Sequence, residues 1–172
     1  MECMKAIKER RSVRKFKDRA VGKEIIEELL KAAQMAPSAG NLQARDFVVV
    51  YDKAKKQKLT NAALGQSFIE QAPVVIIAVA NIERSSRVYK SRGELYALQD
   101  ATAGIENLLL AAHSHGLATC WVGAFDENAV GEILGLPKKT RPIAIIPVGY
   151  SDEAPAAPPR IGLDKVVHRE TW

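Results

Sequence analysis

The sequence predicts one α/β domain with an extended C-terminal arm, and three observations carry that prediction. Apolar residues recur at helical spacing over residues 23–35 and 94–115. Strands are read at residues 47–51, a short β-branched run with both faces covered, at 74–80, a buried run, and at 118–122 and 143–148, interleaved with the helical segments. A proline-rich stretch (Pro155, Pro158, Pro159) then ends the periodic part and leaves a sparse tail from Arg160 to Trp172.

Residues 3–10 read as a short amphipathic helix with Met4 and Ile7 on one face. In residues 23–35, Ile25, Leu29 and Ala33 lie beside Ile26 and Leu30 to form one broad apolar stripe, and Glu27 precedes Lys31 by one favourable helical step. Pro37 stops that helix, because proline disfavours helical geometry in the residue ahead of it. Residues 36–41 are a loop by composition, residues 47–51 a strand, and residues 53–64 a lysine-rich surface helix. Pro73 opens the second strand. Residues 82–93 are polar and aperiodic and are expected to form a mobile excursion.

Leu95, Leu98, Thr102, Ile105, Leu109 and Ala112 alternate spacings of three and four, the seam of a coiled-coil-like face on the longest helix, which Gly116 ends. Asp126 caps a further short helix that closes near Gly135. The arm carries Ile161, Leu163, Val166, Val167 and Trp172, too much apolar surface to leave bare. Embrace of a second subunit is the preferred way to cover it; docking on its own domain is the other.

A chain of 172 residues with 47% hydrophobic content can bury a substantial core. No apolar run approaches the roughly 20 residues needed to span a bilayer, and the N-terminus lacks a signal-peptide core, so no membrane association and a cytoplasmic location are expected. Cys3 and Cys120 match no ligand or redox spacing and read as reduced thiols. No dinucleotide-binding glycine motif, P-loop or nucleophile elbow occurs. His113 and His115 point roughly 200° apart on a helix and cannot share a metal as an i, i+4 pair can. No metal site is expected.

The net charge is +5, and it is local: Lys5, Lys8, Arg10, Arg11, Arg14, Lys15, Lys17 and Arg19 crowd the first twenty residues. Three guanidiniums and the Ser12 hydroxyl within residues 10–14 offer forked donors that match phosphate oxygens. A solvated basic face, a localisation-type run and a nucleic-acid contact compete with that reading. Aromatic residues make up only 6% of the chain and are scattered, which argues against a nucleic-acid platform.

Two further constellations accompany the basic segment. The small and polar residues Pro37, Ser38, Ala39, Gly40, Asn41, Leu42 and Gln43 link a helix to a strand and allow close backbone approach to a flat ligand. Gly123 and Ala124 follow the third strand, where α/β proteins usually place ligands.

Together these segments resemble the nitroreductase family of FMN-dependent oxidoreductases. The matching pieces, in order, are residues 10–16 (RRSVRKF), 36–43 (APSAGNLQ), 96–100 (YALQD), 107–112 (NLLLAA), 116–121 (GLATCW), Phe125-Asp126, 134–137 (LGLP) and 147–150 (PVGY). They span almost the whole chain. The resemblance implies an α+β fold, a central mixed or antiparallel sheet wrapped by helices, with the C-terminal arm exchanged in a homodimer.

It also implies that Arg10, Arg11, Ser12 and Arg14 hold the FMN phosphate and its neighbours, with Arg160 reaching it from the arm. Pro37, Ser38, Ala39, Asn41 and Gln43 are expected around the isoalloxazine, from the other subunit, and Gly123 and Ala124 at the ring edge. NAD(P)H is the implied reductant, and a small-molecule acceptor such as a nitroaromatic or quinone is reduced by a ping-pong cycle. No side chain is assigned as general acid or base.

Two departures stand out. Ala44 and Arg45 follow the glutamine where many members carry Pro-Trp, and the chain is short, leaving residues 82–93 as the remnant of the helices that cover the flavin in larger members. Two alternatives stay open: a specialised flavoenzyme on the same fold, dehalogenating or oxidising a biosynthetic intermediate, and a non-enzymatic flavin- or nucleic-acid-binding protein.

Overall fold

The computed structural model describes residues 2–172. Its sheet is built from β1 (Arg45–Val50), β2 (Val74–Asn81), β3 (Ala118–Thr119) and β4 (Thr140–Gly149), in the order β1-β2-β4-β3. Among the described residues every ladder is antiparallel, and the one parallel pairing is an isolated bridge from Ser12 to Thr119. The helices are α1 (Cys3–Glu9), α2 (Lys23–Gln34), α3 (Lys53–Ala62), α4 (Phe68–Gln71), α5 (Ile82–Tyr89), α6 (Gly93–Ser114) and α7 (Glu127–Leu134).

Alternation along β2 divides the core. Val75, Ile77 and Val79 point into a cluster with Leu59 of α3, Ile69 of α4 and Val130 of α7. Val74, Ile76 and Ala78 point the other way, against Leu29 of α2 and Ile105 and Leu108 of α6. Period-two strands feeding two helical layers are what a sheet covered on both faces requires. β1 is an edge strand whose central residues are only half-buried, yet both its faces are covered as expected: Val48 packs on the first cluster, and Phe47 and Val49 on the second.

The basic segment is threaded onto this sheet. The Val13 amide donates to the Thr119 carbonyl (2.9 Å), and the Lys17 amide to that of Tyr150 (2.9 Å). Val13 and Phe16 point inward and are buried, while Ser12 and Arg14 face outward. The arginines are therefore displayed by a strand-like edge rather than by a helix face.

Several sequence expectations are corrected or narrowed. Residues 82–93 are not a mobile excursion: they fold as α5 and a following 3-10 turn. The Asn81 side chain caps α5 by accepting from the Arg84 amide, and the small, fully buried Ser85 lets the helix pack without an apolar stripe. The third strand is two residues long, with an isolated bridge from Val122 to Ile145 beyond it. The seam on α6 holds only in its C-terminal half. Ile105, Leu109 and Ala112 are buried but Leu95 and Thr102 are exposed, and the inward face continues through Ala97, Ala101 and Gly104. The arm does not dock on its own domain: Ile161, Leu163, Val166 and Val167 are all more than half exposed, and Trp172 is fully so. Lys56 of the lysine-rich α3 is an exception to its exposed face. It is buried and donates its ammonium to the Ala72 carbonyl at 2.6 Å.

Candidate functional site

Arg10, Arg11, Ser12 and Arg14 line one cleft of about 390 Å³ together with Pro155, Pro158 and Arg160 of the arm. The chain thus returns to place a fourth arginine, Arg160, in the wall of the same cleft. Arg10 Nε is buried without a hydrogen-bond partner, and the nearest carboxylate oxygen, on Glu106, is 3.7 Å away. Arg11 spends one nitrogen capping α1, donating to the Lys8 carbonyl at 2.7 Å. The Arg14 backbone amide donates to the Glu153 carboxylate, so this edge already seats one anionic oxygen.

Cys120 lies beneath the same segment, buried, with Ser12 and Arg14 as neighbours. Burial pushes its thiol above the usual range, against the opposing pull of Arg14 and the Ser12 hydrogen bond. Cys3 is exposed. The native protein is therefore expected to take up about one equivalent of iodoacetamide, at Cys3, with Cys120 alkylated only after denaturation. Peptide mass mapping checks this; rapid labelling of Cys120 in the native state would contradict it.

The loop of residues 37–43 lies elsewhere in the protomer. Pro37, Ser38 and Ala39 share a cleft of about 300 Å³ with Tyr96, Gln99 and Asp100 of α6, separate from the arginine cleft. Its backbone is strained and heavily tied. Gly40, Asn41 and Gln43 all adopt positive φ (54°, 57° and 51°), the left-handed region. The Ser38 hydroxyl accepts from the Gln43 amide (3.0 Å), and the Gln43 side chain turns back on Asn41 and Gln34.

Two residues to which the sequence reading gave no site role hold this loop. Asp100 is buried in the middle of α6, and its two carboxylate oxygens accept from the Ala39 amide (2.9 Å) and the Ala44 amide (3.1 Å). Arg45 is buried and donates to the carbonyls of Gln34 (2.8 Å), Ala36 (2.6 Å), Pro37 (3.1 Å) and Asp100 (3.1 Å). It thereby caps the C-terminus of α2, where a cation also meets the helix dipole. Burial lowers the pKa of its guanidinium, and Asp100 partly restores it. A Cβ at Gly104 would come within 2.9 Å of Arg45 Cδ, so the glycine makes room for the side chain. The departure at position 45 is a structural tether. For Asp100 a signal existed: it falls on the buried face of α6 between Ala97 and Ala101.

Gly123 and Ala124 are exposed, on the turn that links the Val122 bridge to the capped start of α7. A Cβ at Gly123 would meet only Trp121, at 3.7 Å, so nothing within the chain requires glycine there. The structure brings Arg10, Arg11, Ser12, Arg14 and Arg160 together. Within one chain it does not bring residues 37–43, Gly123 or Ala124 to them. Among the described residues there is no cluster of His, Cys, Asp and Glu able to hold a metal, and no helix long and apolar enough to cross a membrane.

A profile of the nitroreductase family matches residues 7–68 and 61–150. An FMN reductase [NAD(P)H] of Bacillus subtilis is 30% identical, over 99% of this chain and 74% of its own. An FMN-dependent nitroreductase from Clostridium difficile superposes with a TM-score of 0.84 at 32% identity, over 98% of this chain and 99% of the other. The NADPH:FMN oxidoreductase of Vibrio harveyi, solved in complex with NAD+, gives a TM-score of 0.92 at 26% identity, covering 99% of this chain and 77% of that one.

Proposed function

The chain belongs to the nitroreductase family, and from that premise we propose that residues 1–172 form one FMN-binding domain of an NAD(P)H-dependent oxidoreductase that works as a homodimer. The observation that carries this reading is the arginine cleft. Its donor set fits a phosphate: Arg10, Arg11, Arg14 and Arg160 line one cleft with Ser12, and forked guanidinium donors match phosphate oxygens.

In this reading Arg10, Arg11, Ser12, Arg14 and Arg160 hold the phosphate. Pro37, Ser38, Ala39, Asn41 and Gln43 of the second copy line the isoalloxazine, with Gly123 and Ala124 at its edge. The homodimer is supported by the two clefts being separate within a protomer and by the bare apolar arm. Asp100 and Arg45 keep the loop rigid, so little ordering entropy is lost on binding. When bound, FMN would supply the redox chemistry, the two-electron exchange between NAD(P)H and an acceptor such as a nitroaromatic or quinone in a ping-pong cycle. The chain supplies position and charge; no side chain is assigned to move a proton.

The test is spectroscopic. The purified or reconstituted protein should show bound-flavin absorption that NADH or NADPH bleaches without oxygen and a nitroaromatic restores. A protein that takes up no FMN, or whose flavin no nicotinamide bleaches, would overturn the reading. Arg14→Ala should weaken FMN retention by about 1–3 kcal/mol, one forked phosphate contact. Unchanged affinity in a fluorescence titration would show that Arg14 does not touch the phosphate.

A further inference from the structure

Tyr96, in the wall of the cleft beside residues 37–39, carries an arginine that the flavin reading does not use. Tyr96 lines that cleft and packs edge-on against Tyr89, with ring centroids 4.8 Å apart. Tyr89 in turn abuts the loop, since a Cβ at Gly40 would collide with its hydroxyl. Arg92 lies against Tyr96, donating from Nε to the phenol oxygen at 2.8 Å with its guanidinium 5.1 Å from the ring centroid. The turn that carries it is strained, with Lys90 at φ 49° and ψ −119°. Strain of this kind collects at binding sites.

The neighbouring carboxylates are already engaged. Glu83 pairs with Arg87 at 3.2 Å and Glu94 with Arg141 at 3.5 Å. Among the described residues neither Lys90 nor Arg92 pairs with an acid. A guanidinium without an acidic partner therefore lies against the Tyr96 wall of the cleft, with the exposed Lys90 two residues before it, while the cleft's own carboxylate, Asp100, is engaged by the Ala39 and Ala44 amides.

We propose that Arg92, with Lys90, grips a phosphate of the dinucleotide reductant while its nicotinamide end enters the cleft over residues 37–39. This rests on the flavin reading above and adds the residues that select the reductant. A guanidinium braced on an aromatic ring loses little freedom when it binds, and its remaining N–H groups match phosphate oxygens. The phosphate is either the pyrophosphate shared by NADH and NADPH or the 2′-phosphate of NADPH alone.

The experiment compares wild type with Arg92→Ala, using NADPH, NADH and 1-benzyl-1,4-dihydronicotinamide, a reductant without phosphate. For the variant, the ratio of kcat/KM for NADPH to that for the benzyl compound should fall roughly tenfold, carried by KM, as expected for one charge-assisted contact. NADP+ binding, measured by calorimetry on the FMN-loaded protein, should weaken by a similar factor. A parallel fall for NADH assigns the pyrophosphate; a fall for NADPH alone assigns the 2′-phosphate. Unchanged ratios with unchanged NADP+ binding would overturn the proposal. If no reductant bleaches even the wild type, the flavin reading itself has failed and takes this proposal with it.

Discussion

Asp100→Ala is expected to lower the unfolding free energy by about 3–5 kcal/mol, the cost of removing one partner from a buried charged cluster. The carboxylate satisfies two loop amides, one of them in the buried Ala44, and sits beside the buried Arg45 guanidinium. Truncation orphans the Ala44 amide and leaves a cation facing carbonyls alone. Asp100→Asn should cost less, because an amide oxygen still accepts one bond and volume is kept. Denaturant unfolding reads both variants through the midpoint at constant slope. A loss below about 1 kcal/mol for Asp100→Ala would mean that the carboxylate does not organise the loop. The loop variants should also bind FMN less tightly, since a loosened loop must be ordered again on binding.

Gly93→Ala comes next, at about 3 kcal/mol, the upper end of ordinary overpacking. An added Cβ would lie 2.5 Å from Ser86 Cα and 2.6 Å from its backbone nitrogen. Backbone cannot swing aside as a side chain can, so α5 must separate from α6. Hydrogen exchange should then speed up over residues 82–92 more than in the sheet. Gly131→Ala is the matched control: it lies inside α7 with nothing within 4 Å of its missing Cβ. There alanine should be neutral or stabilising by up to about 1 kcal/mol through helix propensity. Equal melting temperatures for Gly93→Ala and wild type would show that α5 does not depend on close approach to α6.

The elements with an apolar period were legible in the sequence, because burial on one face writes itself into spacing. Residues 23–34 of α2 are an example, while 74–80 of β2, buried on both faces, were legible as a continuous apolar run instead. α5 was missed because its inward face, Ile82, Ser85, Ser86 and Tyr89, recurs at helical spacing but is mostly small and polar, so it reads as surface until the Asn81 cap and Gly93 bring it against α6. The edge position of β1 was hidden for another reason: strand order is set by long-range pairing, which composition does not encode. At the site, the cationic half could be read because charge at residues 10–14 is dense and local. The loop at 37–43 could be recognised; of its tethers only Asp100 left a sign, its place between the small residues Ala97 and Ala101 of α6. A lone Arg on a strand usually means solvent, and only the fold turns Arg45 inward.

The arginine cleft as a phosphate clamp is tested most directly by comparing FMN with riboflavin, which differ only in the phosphate. Several charge-assisted contacts to that group should make FMN bind roughly 100-fold or more tightly than riboflavin, and Arg14→Ala should narrow the gap about tenfold or more without weakening riboflavin. Equal affinities for the two flavins in the wild type, or a gap untouched by the substitution, would contradict the clamp.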